Sequence, residues 1–194
     1  VGADRESRPV TISRDGDKVA FGSLAENLSP LDDSSRGKIF VRDMEGGSLS
    51  LHAKEDAGVP GDGSSYRPVL SPEGGWVAFH SQAKNLVTPT ITDPRVHLFL
   101  ENLATGEIFL VSQNAQGDTG DASTTWWDES VTFSGAFQEV RVPGIGVSEN
   151  ADGVAFHSEA TNWVSESTSG ERDLYLWERA TGALSRITSG AGGE

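Results

Sequence analysis

The chain has no cysteine among its 194 residues, so disulfide bonds and thiolate metal sites are excluded. It also has no apolar run near the roughly 20 residues of a membrane-spanning helix, and we predict no membrane insertion. Basic residues are few, with 15 Lys and Arg against 29 Asp and Glu, a formal net charge of −14. Such a surface repels phosphate backbones, so we predict no nucleic-acid partner.

The sequence also lacks the short motifs of common enzyme classes. It contains no G-x-S-x-G elbow, no H-E-x-x-H and no P-loop. We therefore predict that the protein is not an enzyme and has no catalytic residues. The chain begins at Val1 without a signal-like segment, so we expect either a processed mature chain or a piece of a longer one.

What the sequence does contain is an internal repeat of eleven residues. Its three copies are "KVAFGSLAENL" at 18–28, "WVAFHSQAKNL" at 76–86 and "GVAFHSEATNW" at 153–163. They share the template x-V-A-F-x-S-x-A-x-N followed by Leu or Trp, and such repetition is typical of folds built from one supersecondary unit. We predict one continuous domain of three repeats, with the boundaries 1–60, 61–118 and 119–194.

Each repeat divides into four short strands separated by polar turns. In the strand that carries the template, Val19 and Phe21 point to one face and Ala20 and Gly22 to the other. Large side chains on one face and small ones on the other predict a sheet packed on both sides. No stretch shows helical periodicity, so the predicted fold class is all-β.

An asparagine follows each template phenylalanine by six residues. The three asparagines are Asn27, Asn85 and Asn162. We predict that their amides hydrogen-bond backbone groups where the chain leaves the sheet, because Asn side chains satisfy such groups at turns.

The combined pattern resembles a known repeat family. S-x-D-G-x-x-V-A-F-x-S, followed by A-x-N-L, an aromatic third strand and a D/E-x-x-T-G turn, resembles the blades of TolB-type (PD40, WD40-like) β-propellers. The resemblance implies a β-propeller of four-stranded antiparallel blades, three of them in this chain. It also implies an exported protein, extracellular or periplasmic. Such propellers mostly serve as binding scaffolds, so interaction is implied rather than catalysis.

Three blades raise a problem of closure, because propellers usually close with about four to eight blades. An open set of three exposes two sheet faces and unpaired strand edges. Three interpretations remain open: a fragment of a longer propeller, two copies closed into a six-bladed ring, or copies stacked into a filament. We therefore predict a partial or oligomer-completed propeller whose partner is either itself or another protein.

An insertion lengthens the third repeat. The spacing between template phenylalanines is 58 residues from the first copy to the second and 77 from the second to the third. The extra residues predict a hairpin at about 124–142. It carries Trp126, Trp127, Asp128 and Glu129, our candidate site for a ligand or partner, because an exposed Trp suits a sugar ring or a protein hot spot. The alternative is that these residues cover a blade edge or pack on a neighbouring subunit.

Acidic residues gather in the loops between repeats. Asp62, Asp118 and Asp121 are the candidate calcium ligands, because oxygen ligands close together suit this ion. Asp4, Glu6, Asp32 and Asp33 add further acidic groups in loops. No loop has the EF-hand pattern, so the alternative is Asp–Gly turn chemistry with a solvating rim. No other cofactor is predicted.

The four histidines are His52, His80, His97 and His157. His80 and His157 occupy equivalent repeat positions, about 10 Å apart in neighbouring sheets, which is too far to share one metal ion. We interpret them as structural strand histidines.

These observations support three functional hypotheses. The first is a non-catalytic module for protein–protein interaction or self-assembly. The second is a module that binds carbohydrate or another ligand, with calcium as a candidate ion. The third is the accessory propeller of a larger hydrolase.

Overall fold

The computed structural model describes residues 2–31, 36–55, 58–124, 144–165 and 171–188, which contain twelve β-strands and no helix. Blade 1 consists of β1 (Ser7–Ile12), β2 (Lys18–Ser23), β3 (Lys38–Asp43) and β4 (Leu49–His52). Blade 2 consists of β5 (Ser65–Leu70), β6 (Trp76–Ser81), β7 (His97–Asn102) and β8 (Ile108–Leu110). Blade 3 consists of β9 (Ile145–Val147), β10 (Gly153–Ser158), β11 (Asp173–Glu178) and β12 (Leu184–Arg186). Within these described ranges, no helix is long and apolar enough to cross a membrane.

The strands of each blade pair in chain order as a four-stranded antiparallel meander. The predicted fold class, an all-β protein built of four-stranded blades, is therefore confirmed. The first strand of the middle blade, β5, contacts both β1 and β9. The first strands of the three blades consequently lie together on the inner side of the stack, and the fourth strands form the outer edges.

The blades stack face to face through two hydrophobic cores. We call the side with the template Val and Phe the large-residue face of a blade, and the opposite side the small-residue face. Phe79 of blade 2 packs in one core with Ala20 of blade 1, and Phe156 of blade 3 packs in the other with Ala78 of blade 2. Each large-residue face thus lies on the small-residue face of the preceding blade. The prediction of a sheet packed on both sides is confirmed for blade 2.

Cross-strand aromatic pairs reinforce the large-residue faces. The pairs are Phe21–Phe40, Phe79–Phe99 and Phe156–Tyr175, with ring centroids 5.7, 5.7 and 6.1 Å apart. The two members lie directly opposite each other on neighbouring strands, where aromatic pairs stabilise a sheet. In blade 3 the hydroxyl of Tyr175 also donates to the carbonyl of Ala160 at 2.8 Å.

The first hairpin of each blade turns through a residue with positive φ. Gly16 and Gly74 occupy this position in blades 1 and 2, with φ of 84° and 67°. Blade 3 differs, because the residue is Ala151 at φ 54° and the nearby Gly153 begins β10. A left-handed L residue costs about 1–2 kcal/mol. Ala151 is fully buried in the second core, so packing of its methyl group offsets part of that cost.

Candidate interaction surfaces

The predicted hairpin site cannot be placed on this fold. Trp126, Trp127, Asp128 and Glu129 lie outside the described residues, as do Asp32 and Asp33. Their role in ligand or partner binding stays a prediction.

The loop aspartates belong to a hydrogen-bonded clamp that recurs in each repeat. In blade 2, Asp62 Oδ1 accepts the N–H of Lys84 at 2.6 Å, and Asn85 Oδ1 accepts the N–H of Asp62 at 2.9 Å. The equivalent residues are Asp4, Glu26 and Asn27 in blade 1, and Asp121, Thr161 and Asn162 in blade 3. Each clamp ties the segment before a blade's first strand to the end of the template.

The clamps confirm the predicted role of the template asparagines. Their Nδ2 groups donate to the carbonyls of Gly2, Pro60 and Thr119 at 2.8, 3.5 and 2.9 Å. The matching aspartates were not assigned to this role from the sequence. A signal was present, because the Asp and the Asn are 23 residues apart in both of the first two repeats.

The candidate calcium ligands therefore have protein partners. Hydrogen bonds from Thr161 hold the pKa of Asp121 below its usual value. Asp118 accepts a hydrogen bond from Asn114 Nδ2 at 3.2 Å within its own turn. Across the part of the chain that the structure describes, no three His, Asp or Glu side chains gather as a metal site. Calcium binding stays a prediction.

The histidines lie at different depths in the stack. His52, His80 and His97 are buried, and His157 is only partly buried. Burial, together with the charge of Arg67, lowers the pKa of His80 to about 4, so this imidazole is neutral at physiological pH. His97 Nε2 pairs with Asp93 Oδ1 at 3.0 Å.

One end of the stack is the large-residue face of blade 1, which we call the leading face. Val10 and Ile12 are 70% and 61% exposed there, although both lie on this apolar side opposite Phe21 and Val19. In blade 2 the residue equivalent to Ile12 is Leu70, which is 5% exposed beneath blade 1. The leading face thus leaves exposed an apolar surface whose equivalent on blade 2 is covered by blade 1.

The other end is the small-residue face of blade 3, which we call the trailing face. It presents Ala155, His157, Leu174 and Leu176, all partly exposed, together with Ile187, which is 47% exposed. The strand registers identify the equivalent residues in blade 2. Those residues, Ala78, His80, Leu98, Leu100 and Val111, are all buried beneath blade 3.

The two end faces are therefore of opposite type. The leading face has the large residues that, inside the chain, pack against the small-residue face of a preceding blade. The trailing face has the small-residue pattern against which they pack. Inside the stack this pairing occurs twice, between blades 1 and 2 and between blades 2 and 3.

A charged contact joins the first turns of all three blades. Arg14 of blade 1 binds Glu73 of blade 2 and Glu149 of blade 3, with Nη1 2.7 Å from a carboxylate oxygen of each. The hydrogen bond from Arg14 is the main cause that lowers the pKa of Glu149. All three side chains are exposed, so the contact orients the turns more than it stabilises the fold.

A cavity of about 340 Å³ opens between the outer parts of blades 2 and 3. The rings of Phe109 and Trp177 line it, with centroids 6.1 Å apart, and Gln113, Asn114 and Arg179 add polar groups. Arg179 also lies 4.5 Å above the ring of Trp76. Aromatic rings beside amide groups form a surface suited to small polar ligands.

Comparisons with known proteins support the fold and do not assign a function. No protein-family model matches the chain, and no curated protein matches it in sequence. Among solved structures, an oligogalacturonate lyase in complex with manganese matches with a TM-score of 0.54 and 13% identity, over 98% of this chain and 43% of the lyase.

Propeller domains also match. The β-propeller domain of the Trilobed protease from Pyrococcus furiosus has a TM-score of 0.49 at 13% identity, over 93% of this chain and 43% of that one. A TolB-type protein from Agrobacterium tumefaciens has a TM-score of 0.49 at 14% identity, over 92% and 49%. The chain spans less than half the length of these structures. Its three stacked meanders define a propeller-type all-β module.

Proposed function

We propose that the protein is an interaction module that packs head to tail with a second copy of itself. The leading face of one copy covers the trailing face of the other, as successive blades do within the chain. Two copies that form two such head-to-tail contacts close a ring of six blades. Six is within the usual number of blades for propellers. This role requires no catalysis.

The observation that carries the proposal is the burial contrast between equivalent residues. Leu98 and Leu100 are fully buried in blade 2, whereas Leu174 and Leu176 are partly exposed at the same positions of blade 3. The occupant that buries these positions inside the chain is a large-residue face. Among the described residues, the large-residue face that no blade covers is the leading face, so a second copy supplies the matching surface.

An extracellular or periplasmic location belongs to the same proposal. It is supported by the resemblance of the repeats to blades that are common in exported bacterial proteins. The absence of cysteine is compatible with an oxidising compartment, because no thiol is present to be oxidised there.

The experiment uses one substitution on each end face, Ile12→Glu and Leu174→Glu. Each variant alone has one damaged face, so each is expected to stay monomeric in sedimentation equilibrium. An equimolar mixture contains one intact leading face and one intact trailing face, so a 1:1 pair is expected. Circular dichroism checks that both variants are folded.

Two outcomes would overturn the head-to-tail arrangement. One is a variant that still dimerises alone, which would mean that like faces pair. The other is wild-type protein that stays monomeric at every concentration, which would mean that another blade or another protein covers the end faces.

A second candidate function, ligand binding, is favoured by the cavity between blades 2 and 3. The amide of Gln113 and the aromatic lining fit a neutral saccharide, because sugar rings stack on aromatic faces and hydrogen-bond amides. Titration of the intrinsic Trp fluorescence with a panel of neutral oligosaccharides tests this. A saturable change that is weakened by Gln113→Ala is expected, and no saturable change at millimolar sugar would refute it.

A further inference from the structure

A chain of three hydrogen-bonded groups lies at the outer rim between blades 1 and 2. The hydroxyl Oγ of Ser50 is 2.8 Å from His52 Nε2, and His52 Nδ1 is 2.7 Å from Glu101 Oε1. Glu101 Oε2 accepts the backbone N–H of Ala53 at 2.9 Å, which fixes the carboxylate. His52 and Glu101 are buried, whereas Ser50 is exposed.

The polarity of this chain follows from the groups themselves. A carboxylate only accepts hydrogen bonds, so Nδ1 of His52 carries the proton that binds Glu101. In the neutral imidazole Nε2 is then an acceptor. The one hydroxyl proton of Ser50 has two acceptors within reach, His52 Nε2 at 2.8 Å and the carbonyl of Val41 at 3.3 Å, and the shorter contact is the one to His52. This is the order of a serine nucleophile, a general base and an orienting acid.

The fold does not need polar groups at these three positions. The strand registers make Ser50, His52 and Glu101 equivalent to Phe109, Val111 and Trp177 at the next interface. There the same space is filled by apolar packing, with Val111 fully buried and Trp177 in the second core. Well-packed apolar groups often stabilise a protein as well as a buried ion pair does, so packing alone does not account for the polar set.

A second chain of similar groups in the same molecule shows what a purely structural version looks like. Ser112 Oγ is 3.2 Å from His97 Nδ1, and His97 Nε2 is 3.0 Å from Asp93 Oδ1. Ser112 is 1% exposed, and its oxygen accepts the backbone N–H of Leu98 at 3.1 Å. Solvent and substrate cannot reach that hydroxyl. Ser50, by contrast, is an exposed residue.

A backbone donor lies next to Ser50. Ser48 accepts the N–H of Asp43 at 2.9 Å, and hydrogen-bonded pairs alternate along an antiparallel ladder, so Ser50 pairs with Val41. The N–H of Leu51 therefore points away from β3, at the outer edge of the blade. A donor beside the nucleophile stabilises the negative charge that develops on an attacked carbonyl oxygen.

We propose that Ser50 is an activated nucleophile that accepts acyl groups from small, activated esters, with His52 as general base and Glu101 as the residue that positions it. This activity goes beyond the interaction role and is independent of the end faces. It also departs from the absence of catalysis expected from the sequence motifs.

The reaction has two balanced halves. Ser50 Oγ bonds to the acyl carbon, its proton passes to His52 Nε2, and the ester C–O bond breaks as His52 returns that proton to the leaving alkoxide. Water then attacks the acyl-serine and gives its proton to His52 Nε2. That proton returns to Ser50 Oγ as the acyl–oxygen bond breaks, which releases the acid.

A fluorophosphonate probe tests the nucleophile directly, since an attacked probe forms a stable P–O bond and loses fluoride. The intact protein is incubated with the probe, and the labelled residue is identified by peptide mass spectrometry. Ser185 is the matched internal control. It is the exposed serine at the equivalent position of blade 3, and the residue two places on is Ile187 instead of a histidine.

General-base assistance contributes about 10²–10⁴ in rate, so Ser50 is expected to be labelled at least about 100-fold faster than Ser185. Ser50→Ala should abolish the labelling, and Ser185→Ala should leave it unchanged. His52→Val, which installs the residue of the equivalent apolar site, should slow the reaction at Ser50 by about 100-fold, and Glu101→Gln should slow it by at least about tenfold.

Each contrary result is decisive. Folded wild-type protein that is not labelled at Ser50 would overturn the proposal, and so would equal labelling of Ser50 and Ser185. Folded His52→Val protein that reacts at the wild-type rate would show that the hydrogen-bond chain is a tether between blades. We also expect the wild-type protein to hydrolyse p-nitrophenyl acetate and the Ser50→Ala variant to lose this activity.

Discussion

The exposed apolar surface of the leading face makes one prediction that follows directly from burial. Ile12 is 61% exposed, whereas its equivalent Leu70 is 5% exposed beneath the preceding blade. If a second copy covers the leading face in the same way, Ile12 gains about half of full burial. Fully burying an isoleucine contributes about 1.5–3 kcal/mol, so Ile12→Ala should weaken each copy–copy interface by about 1 kcal/mol.

A six-bladed ring contains two such interfaces, so the loss counts twice. The dimer dissociation constant should then rise by roughly 30-fold, because about 1.4 kcal/mol corresponds to a factor of ten. Sedimentation equilibrium over a dilution series measures this change. The thermal stability of the monomer should stay within about 0.5 kcal/mol of wild type, since the side chain is already exposed there.

Two controls make the result specific. Val59→Ala removes an apolar side chain that is 49% exposed in the loop between β4 and β5, and it should leave the dissociation constant unchanged. Leu70→Ala should destabilise the chain itself by about 2–5 kcal/mol, because that residue is already covered. Equal changes of the dissociation constant in Ile12→Ala and Val59→Ala would rule out the leading face as the copy–copy interface.

Three further predictions concern the fold. Asn85→Ala should lower the free energy of unfolding by about 1–2 kcal/mol in urea denaturation, because it removes two hydrogen bonds of a clamp; an unchanged midpoint would count against the clamp. His80 has a pKa lowered to about 4, so the unfolded chain binds the proton first as pH falls below about 6.5. The His80 imidazole should therefore contribute a stability loss of about 3 kcal/mol between pH 6.5 and 4, and His80→Gln should remove that part of the pH dependence. Gly63→Ala should prevent stable folding, because an added Cβ would lie 2.4 Å from the backbone carbon of Gln82; normal expression and melting would contradict this.

Much of the architecture was predictable because it depends on the alternation of large and small side chains along each strand. Val19 and Phe21 face one side and Ala20 the other by strand geometry alone, and the repeat carries that pattern through three blades. The direction of stacking was not readable in this way. It depends on which face of one blade meets which face of the next, and that choice is made by tertiary packing.

The polar chain at Ser50 was missed for a related reason. Ser50 and His52 are two residues apart, but Glu101 comes from the next blade, 49 residues beyond His52. No short motif contains all three groups, so a search for catalytic motifs finds nothing. The comparison of equivalent positions across blades reveals them, because a polar set replaces the apolar packing of Phe109, Val111 and Trp177.

Pairing of the end faces between two copies is tested most directly by the mass of the protein in solution. Light scattering after gel filtration, repeated over a dilution series, should give twice the 20.6 kDa of the chain at high concentration and the single mass on dilution. Because each copy carries a net charge of −14, the dimer should strengthen when salt is raised from low to moderate concentration. A folded protein of 20.6 kDa at every concentration and every salt would contradict the account.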